Sequence, residues 1–279
     1  MTVAIIGIGL IGGSLALSLR EKGIASRIIG VDKNASNLQK AIERKLVDEA
    51  CTLDEAMQHA GLIVLAIPVD AILKVMPLVL DKTEGQVVMD LGSTKTKMLE
   101  LVEGHPKRGR LVAAHPMAGT EHSGPEAAVK DLFKGKTMVL CDVRKSDDDA
   151  YELVEDLVEK LEMRTVFMNA REHDLHAAYV SHISHITSFA LALTVLEKEK
   201  EQGHIFELAS GGFESTVRLA KSSPDMWVPV FQQNRKNVLD VLDEHIYQLQ
   251  NMKKLLENED YPAFYKLIQR SNKIRKILK

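Results

Sequence analysis

His115 stands where an apolar run ends, in "LVAAHPMAGTEHSG" (111–124), and small and polar groups follow it. A histidine ordinarily titrates near ~6.5, so its neutral ring can accept a proton at neutral pH. The stretch "MDLGSTKTK" sets Ser93, Thr94, Lys95 and Lys97 behind another apolar run. Ser93 could hold the tautomer of His115 or bind the same hydroxyl. Near the start, "GIGLIG" supplies Gly7, Gly9 and Gly12 in a GxGxxG spacing. Behind a strand and ahead of a helix, the first glycine permits a tight turn. The second lets the backbone approach a pyrophosphate, and the third lets helix and strand pack closely. The free N–H groups and partial positive charge of the helix start suit phosphate. Leu10 and Ile11 in this loop, and Pro68 at the end of "LIVLAIP", are candidate contacts to the same cofactor. Asp32 lies 20 residues past Gly12. A carboxylate there accepts the adenosine ribose hydroxyls and repels an added phosphate, which points to NAD rather than NADP.

These groups need a frame that brings them to one edge. Short apolar runs alternate with amphipathic ones over residues 1–168: 3–8, 27–32, 62–68, 86–92, 110–116, 137–142 and 164–168. They are rich in Val, Ile and Leu without strict alternation, as strands buried on both faces of a parallel sheet are. Helical stretches at 34–45, 70–80 and 147–162 lie between them. The expectation is a doubly wound α/β domain over 1–168. Ligands bind such sheets beyond the carboxyl ends of the strands, where the glycine loop, Ser93 and His115 all fall. From 169 to 279 the pattern turns wholly helical, with breaks at "SGGFES" and "KSSPD". An all-α domain, able to form a dimer interface, is expected there.

The bulk composition excludes several classes. Net charge is −3, hydrophobic residues make up 45% and charged residues 27%. That describes a folded globular protein with no footprint for nucleic acid. Cys51 and Cys141 form no CxxC pattern and read as buried, inert thiols. No apolar run reaches the ~18–20 residues of a bilayer span, so a cytoplasmic protein is expected. His173, His176, His182 and His185 invite a metal reading. At about 100° per residue, His173 and His182 fall on opposite faces of a straight α-helix, as do His176 and His185. No HExxH occurs, so no metal site is expected.

Taken in order, GxGxxG, "DLGSTK", "HPMAGTE", "AYVSHISH" and "GGFESTVRLAKSSPDMW" resemble the prephenate dehydrogenase family over nearly the whole chain. The resemblance implies a Rossmann-like domain followed by a helical dimerisation domain. It implies NAD-dependent oxidative decarboxylation of prephenate to 4-hydroxyphenylpyruvate in tyrosine biosynthesis. His115 matches the family's base, and Ser93 the serine that bonds to the substrate hydroxyl and the histidine. Arg218 matches the arginine on the ring carboxylate. Ser181, His182 and His185 match positions near the substrate, with His185 beside the side chain of prephenate. Thr120 and Glu121 match pocket positions, and Trp227 a residue that reaches across the dimer or simply packs in the core. An arogenate or dual-specificity cyclohexadienyl dehydrogenase, using NAD or NADP, is the nearest alternative. Another small-acid dehydrogenase and a nicotinamide-sensing protein without turnover are the others. With 279 residues no added regulatory domain is expected, so any feedback by tyrosine would act at or near the active site.

Overall fold

The computed structural model describes residues 1–277. The basic tail "RSNKIRKILK" therefore runs partly outside the described residues. Strand β1 (Thr2–Ile6) enters the glycine loop and α1 (Leu10–Glu21). Then come β2 (Arg27–Val31), α2 (Ala35–Glu43), β3 (Glu49–Ala50) and α3 (Leu53–His59). The Thr52 hydroxyl and the Glu55 carboxylate cap α3 reciprocally. Next are β4 (Leu62–Leu65), α4 (Val69–Lys82), β5 (Val87–Asp90) and α5 (Thr96–Leu101). Strands β6 (Leu111–Pro116) and β7 (Thr137–Cys141), helix α6 (Asp148–Lys160) and β8 (Arg164–Met168) complete the sheet.

The strand order is β3-β2-β1-β4-β5-β6-β7-β8, with every pair parallel except β6–β7. The inner part is the doubly wound order whose direction reverses between β1 and β4, where a crevice opens for a dinucleotide. Side chains of β4 and β5 are buried throughout, as expected of strands covered on both faces. One core lies under α1 and α6, where Leu15, Leu19, Val154 and Leu157 meet Ile5, Val64 and Val112. The other lies under α3, α4 and α5, where Met57, Ile72, Met76 and Met98 meet Ala4, Ile63 and Val88. The two-residue β3 escapes a hydrophobicity reading because Glu49 and Ala50 make no apolar run.

Helix α7 (Ala170–Ala177) starts on a capping box of Asn169 and Glu172. It passes through a π-turn (Ala178–His182) straight into α8 (Ile183–Gln202). By length and composition, Ala170–Gln202 is apolar enough to cross a bilayer. This amends the expectation from sequence. An unbroken apolar run is not required, because here Ala, Leu and Ile mixed with uncharged Ser, Thr and His suffice. The same helix buries His173, Asp174, His182 and His185, which the folded chain uses. Helices α9 (Gly211–Val217) and α10 (Pro224–Gln233) follow. Residues Met1–Arg235 pack as one unit and Lys236–Lys279 as a second. The second unit consists of most of α11 (Arg235–Glu257), then α12 (Tyr261–Ser271) and a short 3₁₀ turn.

Cys141 is fully buried, and burial pushes its thiol up to about 12. Cys51 is only half-buried, contrary to expectation, because it sits at the end of the short β3 edge strand. Burial raises its pKa as well.

Candidate active site

The glycine loop shows three different uses of the same residue. Gly7 has φ +96°, and a Cβ there would lie 2.5 Å from the Ala66 carbonyl oxygen. At Gly12 a Cβ would lie 2.0 Å from the Gly7 carbonyl oxygen. The fold itself thus forbids a side chain at both. Gly9 is different: nothing lies within 4 Å of its would-be Cβ. It precedes Leu10 and Ile11 at the start of α1, so open space stands in front of a helix N-terminus. That is a cradle a side chain would fill, and it fits a pyrophosphate. Asp32 anchors the loop, its carboxylate accepting the Ile8 N–H at 3.1 Å and the Asn34 N–H at 2.9 Å. The Asn37 amide donates to the same carboxylate at 3.5 Å. Pro68 precedes α4 at the end of β4, on the same edge.

Farther along this edge, half-buried His115 is the penultimate residue of β6. Its Nδ1 lies 2.8 Å from His173 Nε2, and His173 Nδ1 lies 2.8 Å from Asp174 Oδ1. Asp174 accepts the backbone N–H of Lys95 at 2.8 Å and of Thr96 at 2.9 Å. Burial opposes the charge of Asp174, but hydrogen bonds from His173 and Thr96 hold its carboxyl below the ordinary range. Fully buried Lys95 is paired with Asp90 at the end of β5. Burial drives the pKa of His115 well below its ordinary value, and the nearby His173, Lys95 and His182 push the same way. His115 is therefore neutral and able to accept a proton. Ser93 sits half-buried on the loop between β5 and α5.

The π-turn corrects the helical-wheel expectation for the histidines. A π-turn inserts one residue, which rotates the downstream helix by about 100°. His182 then no longer lies opposite His173. Asn234 shows this, its amide donating to the Asp174 carbonyl at 2.6 Å and meeting His182 Nδ1 at 3.2 Å. His176 remains exposed. Among the described residues no group of three or more His, Cys, Asp or Glu side chains is placed to hold a metal.

Burial lowers the pKa of His182 to about 4. That of His185 is lowered too, first by burial and also by Arg218, against the hydrogen bond to Ser181. His185 lies stacked on Trp227 at 3.5 Å between ring centres and donates from Nδ1 to the Ser181 carbonyl at 3.0 Å. Trp227 is 7% exposed within its own chain, packed with Val69 and Val230. Arg218 is half exposed and bonded to Glu121 at 2.6 Å. Thr120 accepts the His122 N–H at 3.2 Å in the same loop. Sequence reasoning passed over Asp174, Asp90 and Asn234, and considered His173 only as a metal ligand. The adjacent His-Asp pair in "REHDLH" was the available signal.

A doubly wound sheet with a phosphate-fitting glycine loop and a neutral histidine on one edge defines a nucleotide-binding oxidoreductase. The chain belongs to the prephenate dehydrogenase family. The model for "Prephenate dehydrogenase, nucleotide-binding domain" matches residues 15–167, and that for "Prephenate dehydrogenase, dimerization domain" matches 169–270. A prephenate dehydrogenase of Bacillus subtilis is 30% identical, over 98% of this chain and 75% of the relative. The crystal structure of prephenate dehydrogenase from A. aeolicus with hydroxyphenyl propionate and NAD+ superposes with a TM-score of 0.87. It is 29% identical and covers 100% of this chain and 98% of that one. Synechocystis arogenate dehydrogenase has a TM-score of 0.77 and 28% identity, covering 100% of both chains.

Proposed function

We propose that the protein is an NAD-dependent prephenate dehydrogenase, converting prephenate to 4-hydroxyphenylpyruvate and carbon dioxide in tyrosine biosynthesis. The observation that carries this is neutral His115 at the end of β6, on the sheet edge that also holds the glycine cradle. NAD, when bound, accepts the hydride from the ring carbon that bears the hydroxyl. His115 takes the hydroxyl proton as the ring carboxylate departs and the ring becomes aromatic. Ser93 supplies a hydroxyl on the adjoining loop to orient the substrate oxygen. Gly7, Gly9, Leu10, Ile11 and Gly12 hold the pyrophosphate, Asp32 the ribose, and Pro68 lines the crevice. Arg218 offers paired N–H donors to a carboxylate once Glu121 releases it, and with Ser181, His182, His185, Thr120 and Glu121 forms the substrate wall. Trp227 backs His185.

Residues 1–168 serve as the dinucleotide-binding part and 169–279 as the helical substrate and dimerisation part, consistent with the two family matches. The enzyme works in the cytoplasm as a homodimer. Support comes from the dimerisation-domain match and from Val180, Leu193 and Leu196, which stand 65%, 60% and 48% exposed along one apolar helix.

The structural likeness to an arogenate dehydrogenase supports a second reading, arogenate or both substrates. The decisive measurement follows NADH absorbance with prephenate and with arogenate, each with NAD and with NADP. Turnover of prephenate with NAD is expected to be the most efficient. A strong preference for arogenate or NADP would overturn the assignment, and absence of turnover with every pair would point to a sensor.

A further inference from the structure

The contacts of His115 assign its tautomer. Asp174 is ionised and can only accept, so His173 Nδ1 carries a proton and donates to it. With Nδ1 donating to Asp174, a His173 ring that carries a single proton offers Nε2 as an acceptor. Opposite it, 2.8 Å away, is His115 Nδ1, which must therefore carry a proton. The lone pair of His115 is left on Nε2. Two backbone amides, those of Lys95 and Thr96, hold Asp174 in place, and His173 is only 2% exposed, so water does not compete for these contacts. The anchor sits on α7, whereas His115 sits on β6.

We propose that His173, oriented by Asp174, is a positioning residue that locks His115 with Nδ1 protonated and Nε2 as the proton-accepting atom. This rests on His115 being the base in the reaction proposed above. The arrangement is an Asp–His–His chain in which the first two members set direction and the third does the chemistry. Without the lock, the His115 ring is free to turn, and both tautomers compete.

Two substitutions separate positioning from bulk structure. Gln at 173 keeps the polarity, because its amide N–H can face Asp174 while its carbonyl accepts from His115. Leu keeps volume and loses both contacts. His173→Leu is expected to lower kcat by about 10²-fold, the size of effect that misplacing a reacting group produces. KM for prephenate and the affinity for NAD should change little, and His173→Gln should recover most of the loss. Equal impairment of both variants, or of neither, would overturn the proposal. The imidazole nitrogen resonances of ¹⁵N-histidine-labelled wild-type enzyme, assigned with His115→Asn, read the tautomer directly. A His115 signal with Nε2 protonated and Nδ1 bare sinks the proposal whichever substrate is turned over, and if His173→Leu does not fold this spectrum decides alone. Loss of prephenate turnover in the parent protein, by contrast, would count against the reaction and leave the spectrum to judge the lock.

Discussion

At His115 the protein partly withdraws an imidazole from water and surrounds it with groups that disfavour its charge. A base kept neutral this way stays competent at pH values where a free histidine would be protonated. The acid limb of the kcat/KM profile for prephenate should therefore lie below ~6.5, with activity flat from there to neutrality. A limb at or above that value would contradict the assignment of the base. Replacing His115 by Asn should cost about 10²–10⁴ in kcat, the usual weight of one general base. Equilibrium titration should show NAD and prephenate still bound. Arg218 illustrates the opposite residue-scale condition: it is bonded to Glu121, and in the proposed reaction it would exchange that partner for a substrate carboxylate.

The glycine loop and the helix behind it act at the scale of the element. Two of the three glycines are demanded by the protein, whereas nothing in the protein crowds the third. Gly12→Ala drives a methyl group into the Gly7 carbonyl and should destabilise the fold by about 1–3 kcal/mol, visible as a lower Tm. Gly9→Ala meets nothing in the protein. It should leave Tm nearly unchanged but weaken NAD binding about tenfold or more, which calorimetry would detect. If Gly9→Ala binds NAD as the parent does, the cradle is not where the pyrophosphate sits. The α7–π–α8 helix is the second such element. Its inserted residue accompanies the meeting of the Asp174 carbonyl and His182 on the one amide of Asn234.

Across the whole molecule, three histidines withdrawn wholly or partly from water link stability to acidity. His115, His182 and His185 all have depressed pKa values in the folded state, so the folded state binds fewer protons than the unfolded chain. Their neutral forms favour folding fully above ~6.5. That contribution is lost as pH falls, through about 4 in the case of His182. Thermal melts should thus show Tm declining between these values. His182→Asn should flatten part of the slope, and an unchanged slope would show that the carboxylates alone produce it. The exposed apolar side chains of α8 are the other property of the whole molecule. Sedimentation equilibrium should give a dimer, and Leu193→Glu should shift it toward monomer.

Much of this was legible in order along the chain. The apolar runs, the GxGxxG spacing and the small, polar turn after β6 determine a doubly wound sheet and bring the glycine loop, Ser93 and His115 to one edge. Strand direction alone requires that, because parallel strands end on the same side. The periodicity of residues 169–277 likewise determined helices. What partners His115 was not legible, because the contact spans 58 residues and depends on how α7 docks against the sheet. The meeting of the Asp174 carbonyl and His182 on Asn234 goes with a π-turn, which no residue pattern announces. The Glu121–Arg218 pair joins positions 97 residues apart. Local sequence governs backbone preferences and burial patterns. Side-chain partners are chosen by packing between distant segments, and the tautomer and acidity of the base follow from those partners.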